Sequence, residues 1–243
     1  VNKYKLLVTE SKFIQQGQQL CDFTSEIEVK HNLNLDDEIY LRLDKNGLHV
    51  CWHNKLELNV KDIYTNFRTR YKDFKYDLLI KAIQEKPENK TVLDITSGLG
   101  KDSLIMARYG FKVTMLEANP LLVTIVYYAL QSKIIPNTNL TLIYANSLNY
   151  LQNKIQSPDI IYLDPMFNDE KTALAKKDMQ LIQAIVPSND PQDTIKLFNL
   201  AHNCVKHKII VKRDNKLPAI IASPKVTYAF SGSTVRFDIY VVK

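Results

Sequence analysis

The chain has 243 residues, 45% hydrophobic and 24% charged, enough for one large domain or a medium domain plus a small one. No apolar run approaches a membrane span and the first residues lack the order of a signal peptide, while three scattered cysteines (Cys21, Cys51, Cys204) do not form a disulfide framework, so a cytoplasmic setting is expected. The net charge of +6 favours encounters with polyanions over small neutral partners.

The first 64 residues differ in pattern from the rest. Residues 38–44 alternate apolar and polar, Asp44-Lys45-Asn46-Gly47 supplies a turn, and Leu48 to Trp52 resumes the alternation, which predicts a β-hairpin. Residues 56–60 can add a strand. Residues 1–64 therefore read as a small α/β lobe with an antiparallel sheet, either packed on the rest or gripping a substrate. Residues 65–89 follow as a basic, aromatic-rich linker and helix. Arg68, Arg70, Lys72 and Lys75 alternate there with Phe67, Tyr71, Phe74 and Tyr76. Cations that follow phosphates beside rings that stack bases suit RNA, and the same spacing also fits an amphipathic helix with a solvated basic face.

From residue 90 to 243, strands and helices alternate as βαβ units require. Strands are predicted at 91–95, 112–116, 140–144, 159–163, 207–212 and 235–242, with helices near 102–109, 119–131, 147–153, 172–186 and 192–203. The first strand ends in Asp94, and a loop with Gly98 and Gly100 leads to a helix near Asp102. Glycines permit tight turning and close approach of backbone to a ligand. The nicotinamide pattern G-x-G-x-x-G fails here, because its third glycine is Ser103. Asp94 and Asp102 would repel a pyrophosphate but attract a sulfonium that carries an ammonium. The second strand ends in Glu117, placed to accept from two ribose hydroxyls. Strand, D-x-x-x-G-x-G loop, helix, strand and acid together point to S-adenosylmethionine, with a nucleotide site or a purely structural unit as the alternatives.

Asn146-Ser147 follows the third strand at the height of an adenine edge. The fourth strand stops at Asp164-Pro165-Met166-Phe167. Proline cannot donate to a ladder, and ligands of open α/β sheets lie just past the carboxyl ends of the strands. An acid, a proline and a ring at that point can hold a planar amine, although the tetrapeptide alone could be an ordinary turn. Lys176 and Lys177 lie on the next predicted helix, as phosphate contacts or a solvated helix end. Lys212 and Arg213 lie past another strand, where they either clamp RNA on the same rim or cap the strand in solvent. His202, Cys204 and His207 are close in sequence but lack further ligands, so no metal is expected. The chain closes with an apolar strand, Arg236 to Val242, of the kind that methyltransferase-like sheets insert antiparallel.

The ordered set Asp94-Ile-Thr-Ser-Gly-Leu-Gly-Lys-Asp102, Met115 to Pro120, Tyr162 to Phe167, Lys176 to Met179, Val211 to Arg213 and Arg236 to Tyr240 resembles the bacterial RsmJ family over roughly 65–243. That family methylates guanine N2 in small-subunit (16S) ribosomal RNA. The resemblance implies a class I methyltransferase: an α/β, Rossmann-like fold with a mostly parallel seven-stranded sheet, S-adenosylmethionine as donor, and ribosomal RNA or the small ribosomal subunit as partner. It carries cofactor contacts over to Lys101, Asp102, Glu117, Ala118, Asn146, Ser147 and Asp164, beside the loop residues Asp94, Gly98 and Gly100. Asp164, Pro165 and Phe167 would then orient and stack the target base. An adenine-N6 methyltransferase and a non-catalytic RNA-binding assembly factor are the competing readings.

Overall fold

The computed structural model describes residues 4–31, 39–52, 56–70, 77–136, 139–153, 156–165, 180, 184–186 and 190–242. Its contacts divide the chain into two compact units, and the division is not a single cut. One unit comprises Val1–Tyr71, Asn119–Asn137 and Lys171–Pro187; the other comprises Lys72–Ala118, Thr138–Glu170 and Ser188–Lys243.

The first unit is built on a five-stranded sheet in the order β2-β1-β3-β4-β5. Its strands are β1 (Tyr4–Val8), β2 (Ile27–Lys30), β3 (Ile39–Asp44), β4 (Gly47–Trp52) and β5 (Leu56–Asn59). The predicted hairpin is β3–β4, with Leu41 opposite Val50 and Leu43 opposite Leu48. Asp44 Oδ1 accepts from the Asn46 N–H at 2.7 Å and so folds the turn on itself. The sheet is mixed rather than antiparallel, because β1 runs parallel to both β2 and β3. The connection between β1 and β2 is α1 (Ile14–Thr24), and a helical crossover is what a parallel pair requires. Gly17 lets that helix close on β1: a Cβ there would stand 2.8 Å from a methyl of Val8.

Helix α2 (Val60–Arg70) starts earlier than the linker reading placed it and belongs to this unit. So does α5 (Pro120–Gln131), whose first turn is capped by the Asn119 side chain, accepting from the N–H groups of Leu121 and Leu122. Nine of the twelve residues of α5 are buried, which leaves it little polar face. Within the unit it packs against α1 and α2, and the Phe23 and Tyr127 rings stack with centroids 4.1 Å apart.

The second unit holds a seven-stranded sheet in the order β11-β12-β10-β9-β6-β7-β8. Its members are β6 (Thr91–Asp94), β7 (Lys112–Glu117), β8 (Leu140–Tyr144), β9 (Ile160–Leu163), β10 (Lys208–Asp214), β11 (Tyr228–Ser231) and β12 (Val235–Val241). Strands β8, β7, β6, β9 and β10 are mutually parallel, and β12 enters antiparallel to its neighbours β10 and β11. The central strands are apolar runs with no exposed face: Ile160 to Leu163 and Ile209 to Val211 are each at most 1% exposed. Helices α3 (Leu78–Ile83), α4 (Lys101–Tyr109), α6 (Ser147–Gln152) and α7 (Pro191–Cys204) complete the unit. Strand β11 was not predicted. It has four residues, alternates half-buried with exposed positions and pairs only with β12, so its local signal is weak. Most of the predicted helix 172–186 lies outside the described residues. Strand order reverses between β6 and β9, and the crevice at such a reversal is where open α/β sheets bind ligands.

Candidate active site

The loops leaving the carboxyl ends of β6, β7, β8 and β9 are tied together at this reversal. The Ser97 N–H and hydroxyl both donate to the Leu116 carbonyl, at 3.2 and 3.0 Å. The Ser147 hydroxyl donates to the Ile95 carbonyl at 2.7 Å, and the Asp164 N–H donates to the Thr96 hydroxyl oxygen at 2.7 Å. One short segment, 95–97, therefore sets the height of the other three loops.

Gly98 and Gly100 have φ of +54° and +69°, a backbone region that side chains other than glycine rarely adopt. A Cβ built on Gly98 meets nothing within 4 Å, so the loop faces open space. At its edge, Glu117 Oε2 accepts from the Gly98 N–H at 2.8 Å, which places the carboxylate over the loop. Ala118 beside it is exposed. Lys101 and Asp102 form the first turn of α4, directly after the loop. Asn146 caps α6, accepting from the Asn149 N–H at 3.2 Å.

Asp94 acts from beneath. It is 1% exposed, its Oδ2 accepts from the Ser103 hydroxyl at 2.6 Å and its Oδ1 from the Thr96 N–H at 3.1 Å. It braces the loop against α4 and does not present a carboxylate to a ligand, so its expected part in cofactor binding is indirect. Burial raises its pKa to about 7, and the hydrogen bonds from Ser103 and Thr96 only partly oppose that rise. A carboxyl raised in the folded state binds its proton more tightly than in the unfolded chain. Its contribution to stability is complete below the ordinary carboxylate range and is lost as pH rises towards 7. Asp94→Asn should therefore flatten the decline in thermal stability between pH 5 and pH 8, by on the order of a few kcal/mol. Melting curves across that range check it, and parallel pH dependence in both proteins would contradict it.

Asp164 is 37% exposed at the end of β9, next to buried Pro165. Its Oδ2 accepts from the Lys212 ammonium at 2.9 Å, and the same ammonium donates to Asp102 Oδ2 at 2.8 Å. The Tyr162 hydroxyl donates to that Asp102 oxygen at 2.5 Å. Burial alone would raise the Asp102 pKa, but Lys212 and Tyr162 outweigh it and hold the group below the usual carboxylate range. Burial together with repulsion from Asp102 raises Asp164, against the pull of Lys212. Although burial disfavours its charge, Lys212 is held protonated by the two carboxylates.

This corrects the reading of Lys212 and Arg213 as a rim clamp for RNA. The β9–β10 register pairs Val211 with Leu163, so Lys212 comes level with Asp164 and turns into the site. Arg213 projects to the other face, as strand alternation demands. It is 6% exposed and donates through Nε and Nη2 to the Pro218 carbonyl, at 3.1 and 2.8 Å. Tyr162 and Thr96 were missed altogether. Tyr162 had a usable signal, since it lies two residues before Asp164 and so shares its face of the strand. Phe167, Lys176 and Lys177 lie outside the described residues. Arg68 and Arg70 fall on α2 in the other unit.

The donor set suits S-adenosylmethionine: an open glycine loop, an acid at the end of β7, and a further acid, Asp102, in the first turn of α4. Among the described residues there is no cluster of three possible metal ligands and no helix long and apolar enough to cross a membrane. Sheet order, antiparallel β12 and the loop site define a class I S-adenosylmethionine-dependent methyltransferase.

Comparisons with known proteins agree. The family model described as "Putative SAM-dependent methyltransferase" matches residues 21–242. The ribosomal RNA small subunit methyltransferase J of Legionella pneumophila subsp. pneumophila is 31% identical over 237 residues, covering 90% of this chain and 94% of that protein. Its namesake from Chromobacterium violaceum is 38% identical over 162 residues, and that match spans 63% of this chain and 62% of the relative. The crystal structure of a SAM-dependent methyltransferase from Neisseria gonorrhoeae has the same fold. Its TM-score is 0.75 at 22% identity, over 98% of this chain and 95% of that one. The chain belongs to this methyltransferase family, the one that contains ribosomal RNA small subunit methyltransferase J.

Proposed function

We propose that the chain methylates the exocyclic N2 amine of a guanine in 16S ribosomal RNA, with the RNA or the assembled small subunit as substrate and the cytoplasm as its setting. The observation that carries this reading is the placement of Asp164 on the strand beside the glycine loop, with its side chain partly exposed and its backbone fixed through Thr96.

When bound, S-adenosylmethionine supplies a methyl group on an electrophilic sulfonium. Glu117 would accept from the ribose hydroxyls, the backbone at Ala118 and at Asn146–Ser147 would line the adenine, and Lys101 and Asp102 would meet the methionine end. The Asn146 side-chain oxygen and the Ser147 hydroxyl are engaged within the protein, so N–H groups at these residues would serve the base. The guanine amine is a weak nucleophile because its lone pair is delocalised into the ring. Holding it in line with the methyl lowers the barrier by proximity. The Asp164 carboxylate, with a backbone carbonyl past the last ladder pair, would accept from the amine N–H groups and stabilise the charge that develops on nitrogen. Asp164 shares one oxygen with the Lys212 ammonium, which leaves the other oxygen to accept a hydrogen bond. Phe167 would stack the base, and Arg68, Arg70, Lys176 and Lys177 would contact RNA phosphates.

Small subunits from cells lacking the protein should accept tritiated methyl groups from S-adenosylmethionine when the purified chain is added. Nuclease digestion should yield N2-methylguanosine. Label in N6-methyladenosine would replace the substrate assignment, and no transfer to any ribosomal RNA would reject the reading.

A further inference from the structure

Among the described residues, the ion cluster of the site has an uneven count: one cation, Lys212, hydrogen-bonds two carboxylates. Asp102 comes from α4, Asp164 from the end of β9 and Lys212 from β10, so three separately folded elements meet at one ammonium. The side chains of Lys212 and Asp102 are 25% and 23% exposed, which places the bridge mostly out of water. Among the described residues, the other ionisable groups that face it include Tyr162 from β9, Asp94 from β6, and Asp77 at the head of α3, which faces Asp102 and Lys212. Apart from Lys101 at the start of α4, the charges around the cluster among the described residues are acidic.

Two carboxylates sharing a half-buried site resist joint ionisation, because each raises the pKa of the other and burial raises both. An ammonium in hydrogen-bond contact with both opposes that tendency. It also fixes direction. A hydrogen bond from Lys212 to one oxygen of Asp164 turns the other oxygen to a set position.

We propose that Lys212 is a positioning residue for methyl transfer: it clamps Asp164 against Asp102, keeps the pair ionised and aims the second oxygen of Asp164 at the amine of the target base. The clamp rests on the reading of Asp164 as the acceptor for that amine. Its geometry explains why a lysine occupies the site face of β10 rather than the outer rim. An ammonium on a flexible stem reaches two acids from different elements, which a planar guanidinium does less readily.

The test uses Lys212→Met and Lys212→Arg. Titration of the Asp164 carboxylate is followed by carbon-13 resonance in the cofactor-free protein, with Asp164→Asn identifying the signal, and methyl transfer to RNA is measured across pH. In Lys212→Met the carboxylate midpoint and the acid limb of the rate profile should both move up by about one to three pH units. Lys212→Arg should keep both near the wild-type position while lowering the rate. If Lys212→Met does not fold, the double variant Lys212→Met with Asp102→Asn removes the surplus charge and should still raise Asp164, by less. An unmoved Asp164 titration, or an equal loss of rate at every pH, would overturn the clamp. Full activity in Asp164→Asn would instead overturn the role given to Asp164, so the two failures are distinguishable.

Discussion

Replacing Asp164 by alanine is expected to reduce methyl transfer by at least about 10²–10³-fold, the scale seen when one pre-set electrostatic contact to a reacting centre is removed. The fold should survive. Asp164 is 37% exposed, its backbone N–H keeps the Thr96 hydroxyl, and Lys212 keeps Asp102 as its partner. The expected pattern is therefore a lost rate with a melting temperature near that of the wild type. Tritiated methyl transfer and circular dichroism measure the two quantities on one preparation. Wild-type activity in the alanine variant would remove Asp164 from the site. A collapsed melting curve would make it a structural residue.

Glu117→Ala is expected to act on the cofactor rather than on the chemistry. A carboxylate that accepts from ligand hydroxyls makes charge-assisted hydrogen bonds worth about 1.5–3 kcal/mol, or roughly 10–150-fold in affinity. The variant also removes the acceptor of the Gly98 N–H, so the glycine loop keeps only its Ser97 ties to β7 among those described. Calorimetry with S-adenosylmethionine and with S-adenosylhomocysteine should show the same weakening for both, since they share the ribose. Glu117→Gln retains an oxygen for Gly98 and should fall between alanine and wild type. An unchanged dissociation constant in Glu117→Ala would show that the ribose is held elsewhere.

Much of the catalytic unit was legible along the chain because its signals are local. An apolar strand that ends in an acid, a glycine pair that permits left-handed backbone, and a proline that ends a ladder each declare themselves within a few residues. Hence β6, β7, β9 and the loops carrying Gly98, Gly100, Glu117 and Asp164 were found close to where they lie. The same holds for the β3–β4 hairpin, whose turn and alternation are contiguous.

What local pattern could not decide was pairing across long separations. The parallel placement of β1 beside β2 and β3 depends on the α1 crossover, not on the strands' own residues. Helix α5 lies between strands of the catalytic sheet in sequence, yet its nearly all-apolar surface packs with α1 and α2. Lys212 and Arg213 are adjacent, equally basic residues that the sequence treats alike. A strand sends them to opposite faces, and the β9–β10 register determines that Lys212 stands level with Asp164 while Arg213 is buried against Pro218.

The kind of site is written in local pattern, because an acid, a glycine loop, a second acid and an acid–proline stop impose their chemistry wherever they fold. Which charges meet there follows from the fold, because the alignment of β9 with β10 joins Asp164 to Lys212, 48 residues apart, and α4 brings Asp102 to Lys212 across 110.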